Sequence, residues 1–215
     1  MTAKTARPAP LVLGIQPGGR GRFGVAARQR SGGSESDVVK SVDEAVAWFR
    51  ACVGEGDAPD AAGIAAPLFW ETGAGGARRG DAWLRRARPE LARSIRPLNA
   101  TMGATVVQGM AIALRLRALW PAIALNETRP GQLLGVFRSE PGYPGSALAR
   151  LASSWEALNE AAGDRLAALF SAWWTARCLE GPEPHDLALL SPKAVMPAGQ
   201  ATSFWPIEPA RWLAA

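Results

Sequence analysis

The order of apolar and polar stretches predicts strands first and strand–helix units afterwards. Two apolar runs, Leu11–Ile15 and Phe23–Ala27, flank the glycine-rich turn PGGRG, which is typical of a β-hairpin. A third strand is expected at the sheet edge near Ser36–Lys40. Two further stretches, Ala61–Ala66 and Ala122–Asn126, are short and apolar on both faces. They therefore predict parallel strands buried inside a sheet.

Apolar residues at helical spacing predict helices in the segments between these strands and after them. A capping box at Ser41 and Glu44 starts a helix over 42–53. A break at Gly163 is expected to separate the last two helices of the core. The full set of predicted helices is 42–53, 81–88, 103–120, 128–137, 146–161 and 164–179. This order predicts an α/β fold with a ribonuclease H-like mixed sheet, in which three antiparallel strands precede two parallel strands and helices cover both faces.

Composition indicates a globular protein, with 48% hydrophobic and 20% charged residues among 215. We expect residues 1–9 to form a flexible tail and 10–215 a single domain, with helical insertions around 68–103 and 138–162. Cys52 and Cys178 lack metal-ligand spacing and suit reduced core residues of a cytoplasmic protein. Because no apolar run is long enough for a membrane span, no membrane partner is expected.

Six short motifs, spread in order over most of the chain, resemble those of a known family. They are GIQPGG at 14–19, AAPLFW at 65–70, RRGDAWLRR at 78–86, Asn99 with Gly103, NETRP at 126–130, and GDRLAALFSAWWTA at 163–176. By these motifs the chain resembles the bacterial and archaeal family of predicted ribonuclease H-like nucleases long catalogued as a domain of unknown function. The resemblance implies phosphodiester hydrolysis with two divalent ions, Mg²⁺ or Mn²⁺, about 4 Å apart.

The acids that this chemistry needs are mostly replaced in this chain. The resemblance implies carboxylates at the end of the first strand, before the APL element, after the later parallel strand and on the last core helix. In this sequence the four places hold Gln16, Ala65 or Ala66, Glu127 and Ala167. Asp164 lies one helical turn before Ala167. Glu127 alone matches cleanly, and Gln16 offers only a neutral carbonyl oxygen. The expected metal cage is therefore depleted of charge.

Glu127 and Asp164 are the candidate catalytic residues, and with Gln16 they are the candidate metal ligands. Each acid also has a structural interpretation, as a helix N-terminal acid for Glu127 and an N-cap for Asp164. The depleted acids predict a ribonuclease H-like protein that is catalytically weak or inactive and binds nucleic acid or a protein partner. The alternative is an active metal-dependent nuclease that uses Glu127 and Asp164, with Gln16 or Asp186 in support.

Basic residues near the predicted cleft indicate how nucleic acid would be bound. The net charge of +5 suits a polyanionic partner. The candidate contacts are Arg78, Arg79, Arg85 and Arg86, which would meet phosphates, and Trp83, which would stack on a base. The same arginines are also compatible with an ordinary solvent-exposed surface that binds no ligand. A second alternative function is nucleotide or phosphate binding by the glycine-rich turn after Gln16, because glycine lets backbone N–H groups approach an anion.

Overall fold

The computed structural model describes residues 9–19, 21–71, 78–95, 103–156, 160–181 and 183–213. Its strands are β1 (Val12–Pro17), β2 (Phe23–Arg28), β3 (Ser34–Val39), β4 (Ala61–Ile64), β5 (Ala124–Glu127), β6 (His185–Asp186), β7 (Ala201–Thr202) and β8 (Phe204–Trp205). Its α-helices are α1 (Val42–Val53), α2 (Arg79–Ala87), α3 (Ala104–Leu119), α4 (Pro130–Arg138), α5 (Ala147–Glu156), α6 (Glu160–Glu180) and α7 (Ala210–Leu213). Residues 1–8 of the predicted tail and Asn99 lie outside the described residues.

Six strands form one mixed sheet in the order β3-β2-β1-β4-β5-β7. Strands β3, β2 and β1 are antiparallel neighbours, whereas β1, β4 and β5 run parallel. The predicted arrangement of three antiparallel strands followed by two parallel strands is therefore confirmed. The short strand β7 extends the sheet beyond β5 as one more parallel neighbour. The other two strands, β6 and β8, pair separately and antiparallel.

Helices cover both faces of the sheet, as predicted. Helices α1 and α3 pack on one face, in a core that contains Leu13, Ile15 and Phe49. Helix α6 packs on the other face, against β1, β2 and β4. A second cluster beside α6 is rich in aromatic residues, and there the rings of Trp174 and Trp212 lie 4.8 Å apart. The tryptophan-rich stretch of α6 therefore belongs to the core.

Local sequence signals predict both ends of α1 correctly. The helix spans Val42–Val53 as predicted, and Ser41 Oγ accepts a hydrogen bond from the backbone N–H of Glu44 at 3.1 Å. The Glu44 carboxylate accepts from the N–H of Lys40 at 2.9 Å, one residue before the donor that a capping box would use. The predicted break at Gly163 is wrong, because α6 begins at Glu160 and continues through this glycine.

Three strand glycines let α6 lie directly on the sheet. A Cβ atom at Gly14, Gly24 or Gly63 would collide with backbone carbonyl groups of α6. The helix face above them is lined by the small buried residues Ala168, Ala172 and Ala176. Two buried polar contacts complete the interface: Asn126 Nδ2 donates to Thr175 Oγ1 at 2.9 Å, and the hydroxyl oxygens of Thr128 and Ser171 lie 2.8 Å apart. These contacts place the end of β5 relative to α6.

We predict that Gly14→Ala destabilises the protein by about 2–3 kcal/mol, because the added methyl group has no space between β1 and α6. Urea denaturation followed by tryptophan fluorescence measures this loss. Gly33→Ala is the matched control, since a Cβ at Gly33 meets only Ser31 Oγ, at 3.8 Å. Equal stabilities of the two variants would contradict the close packing of α6.

Candidate functional site

A cleft of about 310 Å³ lies at the carboxyl ends of the parallel strands β1, β4 and β5. Gln16 comes from β1, residues 65–67 follow β4, and residues 127–132 lead from β5 into α4. Arg78 and residues 94–95 close the remaining side. In open α/β sheets ligands bind in the crevice at the carboxyl ends of the strands. The cleft is therefore the candidate functional site.

The first two strand ends contribute no charge to the cleft. Gln16 is half-buried, and its Nε2 donates to the carbonyl oxygen of Pro17 at 3.1 Å. Beyond β4 the chain continues with Ala65, whose N–H donates to the carbonyl oxygen of Ile15 at 2.8 Å. Only β5 ends in an acid at the cleft, Glu127.

The Glu127 carboxylate is buried and fully engaged by N–H donors. Its Oε2 accepts from Arg78 Nη1 at 2.6 Å and from the backbone N–H of Leu68 at 3.0 Å. Its Oε1 accepts from Arg78 Nη2 at 2.9 Å and from Arg129 Nη2 at 2.8 Å. The side chain is only 2% exposed. Glu127 therefore acts as a counter-ion for two arginines.

Asp81 completes a buried network with the same two arginines. Its carboxylate accepts from Arg78 Nε at 2.8 Å and lies 2.6 Å from Arg129 Nη2. We call Arg78, Asp81, Glu127 and Arg129 the ion-pair quartet; its two positive and two negative charges cancel. The Arg78 guanidinium also lies over the Phe69 ring, 4.6 Å from its centroid. The quartet links the start of α2 to the end of β5.

The electrostatics of the quartet favour its charged form. Burial alone would lower the pKa of Arg78, but Glu127 and Asp81 outweigh it and hold that pKa above its ordinary value. For Asp81, burial alone would raise the pKa, but Arg129 and Arg78 hold it below the ordinary value of 3.8. Arg78 and Asp81 thus stay charged at neutral pH because their partners compensate the loss of water.

Asp164, the second predicted catalytic residue, is not among the residues that line the cleft. It sits in the second turn of α6, where its Oδ2 accepts from Arg22 Nε at 3.0 Å. Its backbone lies over Gly24 of β2, and β1 and β4 separate β2 from β5. Three strand spacings correspond to roughly 14 Å. The structure therefore does not bring Asp164 and Glu127 together, and Asp164 is not an N-cap, because α6 begins four residues earlier.

The residues of the cleft do not fit a pair of divalent ions. Mg²⁺ takes oxygen ligands, and carboxylates supply the charge that holds it. Here Gln16 is neutral, and the Glu127 oxygens already accept four hydrogen bonds from N–H groups. Across the described parts of the chain, no group of three or more His, Cys, Asp or Glu side chains is arranged to hold a metal.

The predicted nucleic-acid contacts lie in different environments. Arg78 is buried in the quartet, and the exposed Arg79 pairs with Glu71 at 2.9 Å. Arg85 is half-buried and Arg86 is exposed. Trp83 is half-buried and contacts the His185 ring in a tilted arrangement, with 4.9 Å between centroids and 40° between ring planes. Of the predicted set, only Arg79 and Arg86 are exposed.

The other predicted positions have structural roles. The N–H of Gly18 donates to the carbonyl oxygen of Arg22 at 2.7 Å, and the N–H of Gly19 donates to Gln108 Oε1 at 2.9 Å. These two amides of the glycine-rich turn are therefore engaged within the chain. Asp186 accepts from the backbone N–H groups of Ala188 at 3.0 Å and Ser203 at 2.8 Å, which anchors the segment between β7 and β8.

Sequence reasoning missed two members of the quartet, Asp81 and Arg129. Arg129 lies two positions after Glu127 in the NETRP motif and directly before α4, a position that sequence analysis usually assigns to a helix start. Its spacing from Glu127 was the only available signal. The partnership with Asp81 joins two distant parts of the chain, so no local pattern shows it.

The chain matches no protein-family model, and no curated protein or solved structure shows significant similarity to it. The resemblance to ribonuclease H-like nucleases stays a prediction made from the motifs. Among the described residues, no helix is both long and apolar enough to cross a membrane.

We predict that Glu127→Gln lowers the free energy of unfolding by about 3–5 kcal/mol, because Asp81 alone then has to compensate the charges of two buried guanidinium groups. Urea denaturation at neutral pH measures the loss. Glu180→Gln is the control, since Glu180 pairs with Arg28 at the surface and should cost at most about 1 kcal/mol. A similar small cost for both variants would show that the quartet is not needed for the fold.

The lowered pKa of Asp81 predicts how this stability depends on pH. A carboxyl group with a lowered folded-state pKa stabilises the fold above its ordinary pKa of 3.8, and this contribution is lost as pH falls through the folded-state value. Asp81→Asn should therefore be less stable than wild type by a constant amount, about 3 kcal/mol, from pH 7 to pH 5. The difference should shrink below pH 3.8.

Urea denaturation at several pH values measures this difference. Asp57→Asn serves as the control, because Asp57 is exposed and its pair with Arg30 has an N···O distance of 3.7 Å. A difference between wild type and Asp81→Asn that already declines between pH 7 and pH 5 would contradict the charged, arginine-paired state of Asp81.

Proposed function

We propose that this chain is a catalytically inactive ribonuclease H-like protein that binds nucleic acid along the carboxyl edge of its sheet. The observation that carries the proposal is the state of Glu127. Glu127, the one acid among the described residues that line the cleft, has both oxygens occupied by Arg78, Arg129 and the backbone N–H of Leu68. A carboxylate held in this way cannot also neutralise metal ions during phosphodiester hydrolysis.

The other residues at the cleft support a binding role. Gln16 and Ala65 supply neither a charged ligand nor a general base. The only histidine, His185, lies on β6 and its ring contacts that of Trp83. A cleft with this inventory can hold a ligand through hydrogen bonds and charge. It offers no described side chain to activate a water molecule.

Exposed arginines in the stretch that leads from α2 to the cleft wall at Ser94 favour nucleic acid over a protein partner. Arg93 is exposed and directly precedes Ser94, which lines the cleft, and Arg86 is exposed at the end of α2. Among the described residues, no acidic side chain pairs with either guanidinium group. Unpaired arginines next to a cleft are suited to phosphate contacts, which position a nucleic acid regardless of its sequence. The net charge of +5 supports the same partner.

We predict that charge reversal of either arginine weakens binding to fluorescent single-stranded or duplex oligonucleotides. Fluorescence anisotropy should show that Arg86→Glu and Arg93→Glu each raise Kd several-fold. Each variant should also reduce the slope of log affinity against log salt concentration by about one, which corresponds to one lost phosphate contact. The control is Arg50→Glu, because Arg50 is exposed near residues 54–57, at the amino ends of the parallel strands and opposite the cleft. Equal affinities of all three variants would contradict binding at the carboxyl edge.

A cleavage assay separates this proposal from an active nuclease. The wild-type protein is incubated with single-stranded, duplex and RNA–DNA hybrid substrates in Mn²⁺. We expect no cleavage above buffer. Robust cleavage that disappears in Glu127→Gln, measured where that variant is still folded, would overturn the inactive assignment and support the metal-dependent alternative.

A further inference from the structure

Arg129 has hydrogen-bonding capacity that the protein does not use. Its contacts with Asp81 and Glu127 all go through one nitrogen, Nη2. Its Nε is buried and has no hydrogen-bond partner among the described residues. Buried N–H groups are nearly always paired, and one that is not calls for a bound water, ion or ligand. Nε itself is enclosed, but Arg129 lines the cleft and its Nη1 takes no part in the contacts with Asp81 and Glu127, so a ligand in the cleft can accept a hydrogen bond from this nitrogen.

The start of α4 adds donors beside Arg129. Gly131 and Gln132 line the cleft and occupy the first turn of this nine-residue helix. The N–H groups of a first helical turn lack intrahelical acceptors and carry partial positive charge. A Cβ atom on Gly131 would meet no atom within 4 Å, so space remains beside the helix start. Both features favour an anion in this part of the cleft.

The charge of the quartet disfavours a cation at the same place. Its two guanidinium groups already neutralise Asp81 and Glu127. A divalent ion would have to displace Arg78 from Glu127, to which it is bonded through two nitrogens at 2.6 and 2.9 Å. An anion does not compete with Arg78 for Glu127, because it accepts hydrogen bonds from N–H groups instead. The residues present therefore do not fit the two-metal centre that the sequence motifs imply.

We propose that the cleft binds one phosphate group of a nucleic-acid backbone without a divalent metal, through Arg129 and the first amides of α4. The guanidinium group of Arg129 here takes the electrostatic role that a metal ion has in a nuclease. Arg78, Asp81 and Glu127 position Arg129 by fixing its Nη2. This inference rests on the proposed function, since it names the group of the nucleic acid that enters the cleft.

Gly131→Asp tests the phosphate site without removing a member of the quartet. It places a carboxylate in the open space beside the helix start, and an acid is favourable in a first helical turn, so the fold is retained. Gly142→Asp is the matched control, because it adds the same charge at another glycine with no atom within 4 Å of its Cβ, outside the cleft. Thermal melting of both variants verifies folding.

Anisotropy with a labelled single-stranded oligonucleotide in EDTA gives the first readout. We expect Gly131→Asp to raise Kd at least tenfold and Gly142→Asp to change it less than twofold. Equal affinities of wild type and Gly131→Asp would overturn the phosphate site while leaving binding to surface arginines intact. The second readout is wild-type Kd in Mg²⁺ against EDTA at matched ionic strength. Agreement within twofold is expected, and a tenfold gain with Mg²⁺ would overturn metal-independent binding.

Inorganic phosphate separates the site from the proposed function. Isothermal titration calorimetry should show that phosphate binds wild type and Gly142→Asp, and binds Gly131→Asp at least tenfold more weakly. Phosphate binding with this pattern, but no binding of any oligonucleotide, would overturn the nucleic-acid function and retain the anion site. No binding of phosphate or of oligonucleotide to wild type would overturn both.

Discussion

The direct contact between α6 and the sheet is the constraint on which the rest of this structure depends. Gly14, Gly24 and Gly63 leave no side chain between the strands and the helix backbone. At this short separation, hydroxyl and amide groups of α6 reach β5, where Asn126 and Thr128 bond to Thr175 and Ser171. These bonds flank Glu127 on both sides in sequence. The close packing of one helix therefore sets where the candidate site begins.

The site itself is organised by compensation of buried charge. A single carboxylate at the end of β5 would be costly in the interior without partners. Arg78, Asp81 and Arg129 remove that cost by closing a neutral quartet. The same arrangement occupies the oxygens that a metal would need and leaves one edge of Arg129 unpaired. Structural stability and the proposed preference for phosphate thus have one physical cause.

Local patterns predicted elements well and their partners poorly. The bounds of α1 follow from a side-chain cap and helical spacing within a dozen residues, so the prediction was correct at both ends. The break at Gly163 was wrong, because the packing of α6 on the sheet outweighs the weak helix propensity of glycine. Val107 and Leu114 share the apolar spacing of α3, yet they are 70% and 46% exposed. Spacing identifies a helix but not which of its apolar residues the tertiary structure buries.

The sequence by itself determined the mixed sheet, with antiparallel strands followed by parallel ones, and the residue types that stand at the strand ends. These properties depend on residue types in local runs, and on the rule that parallel strands need a crossover. Only the tertiary structure decided what Glu127 does, because its partners Arg78 and Arg129 come from a loop and a helix start that meet only in the folded chain. It also decided that Asp164 pairs with Arg22 above β2, three strand spacings away from the β5 strand that carries Glu127. Two charged side chains form an ion pair when the fold brings them close together, and the number of residues between them in the sequence does not predict that distance.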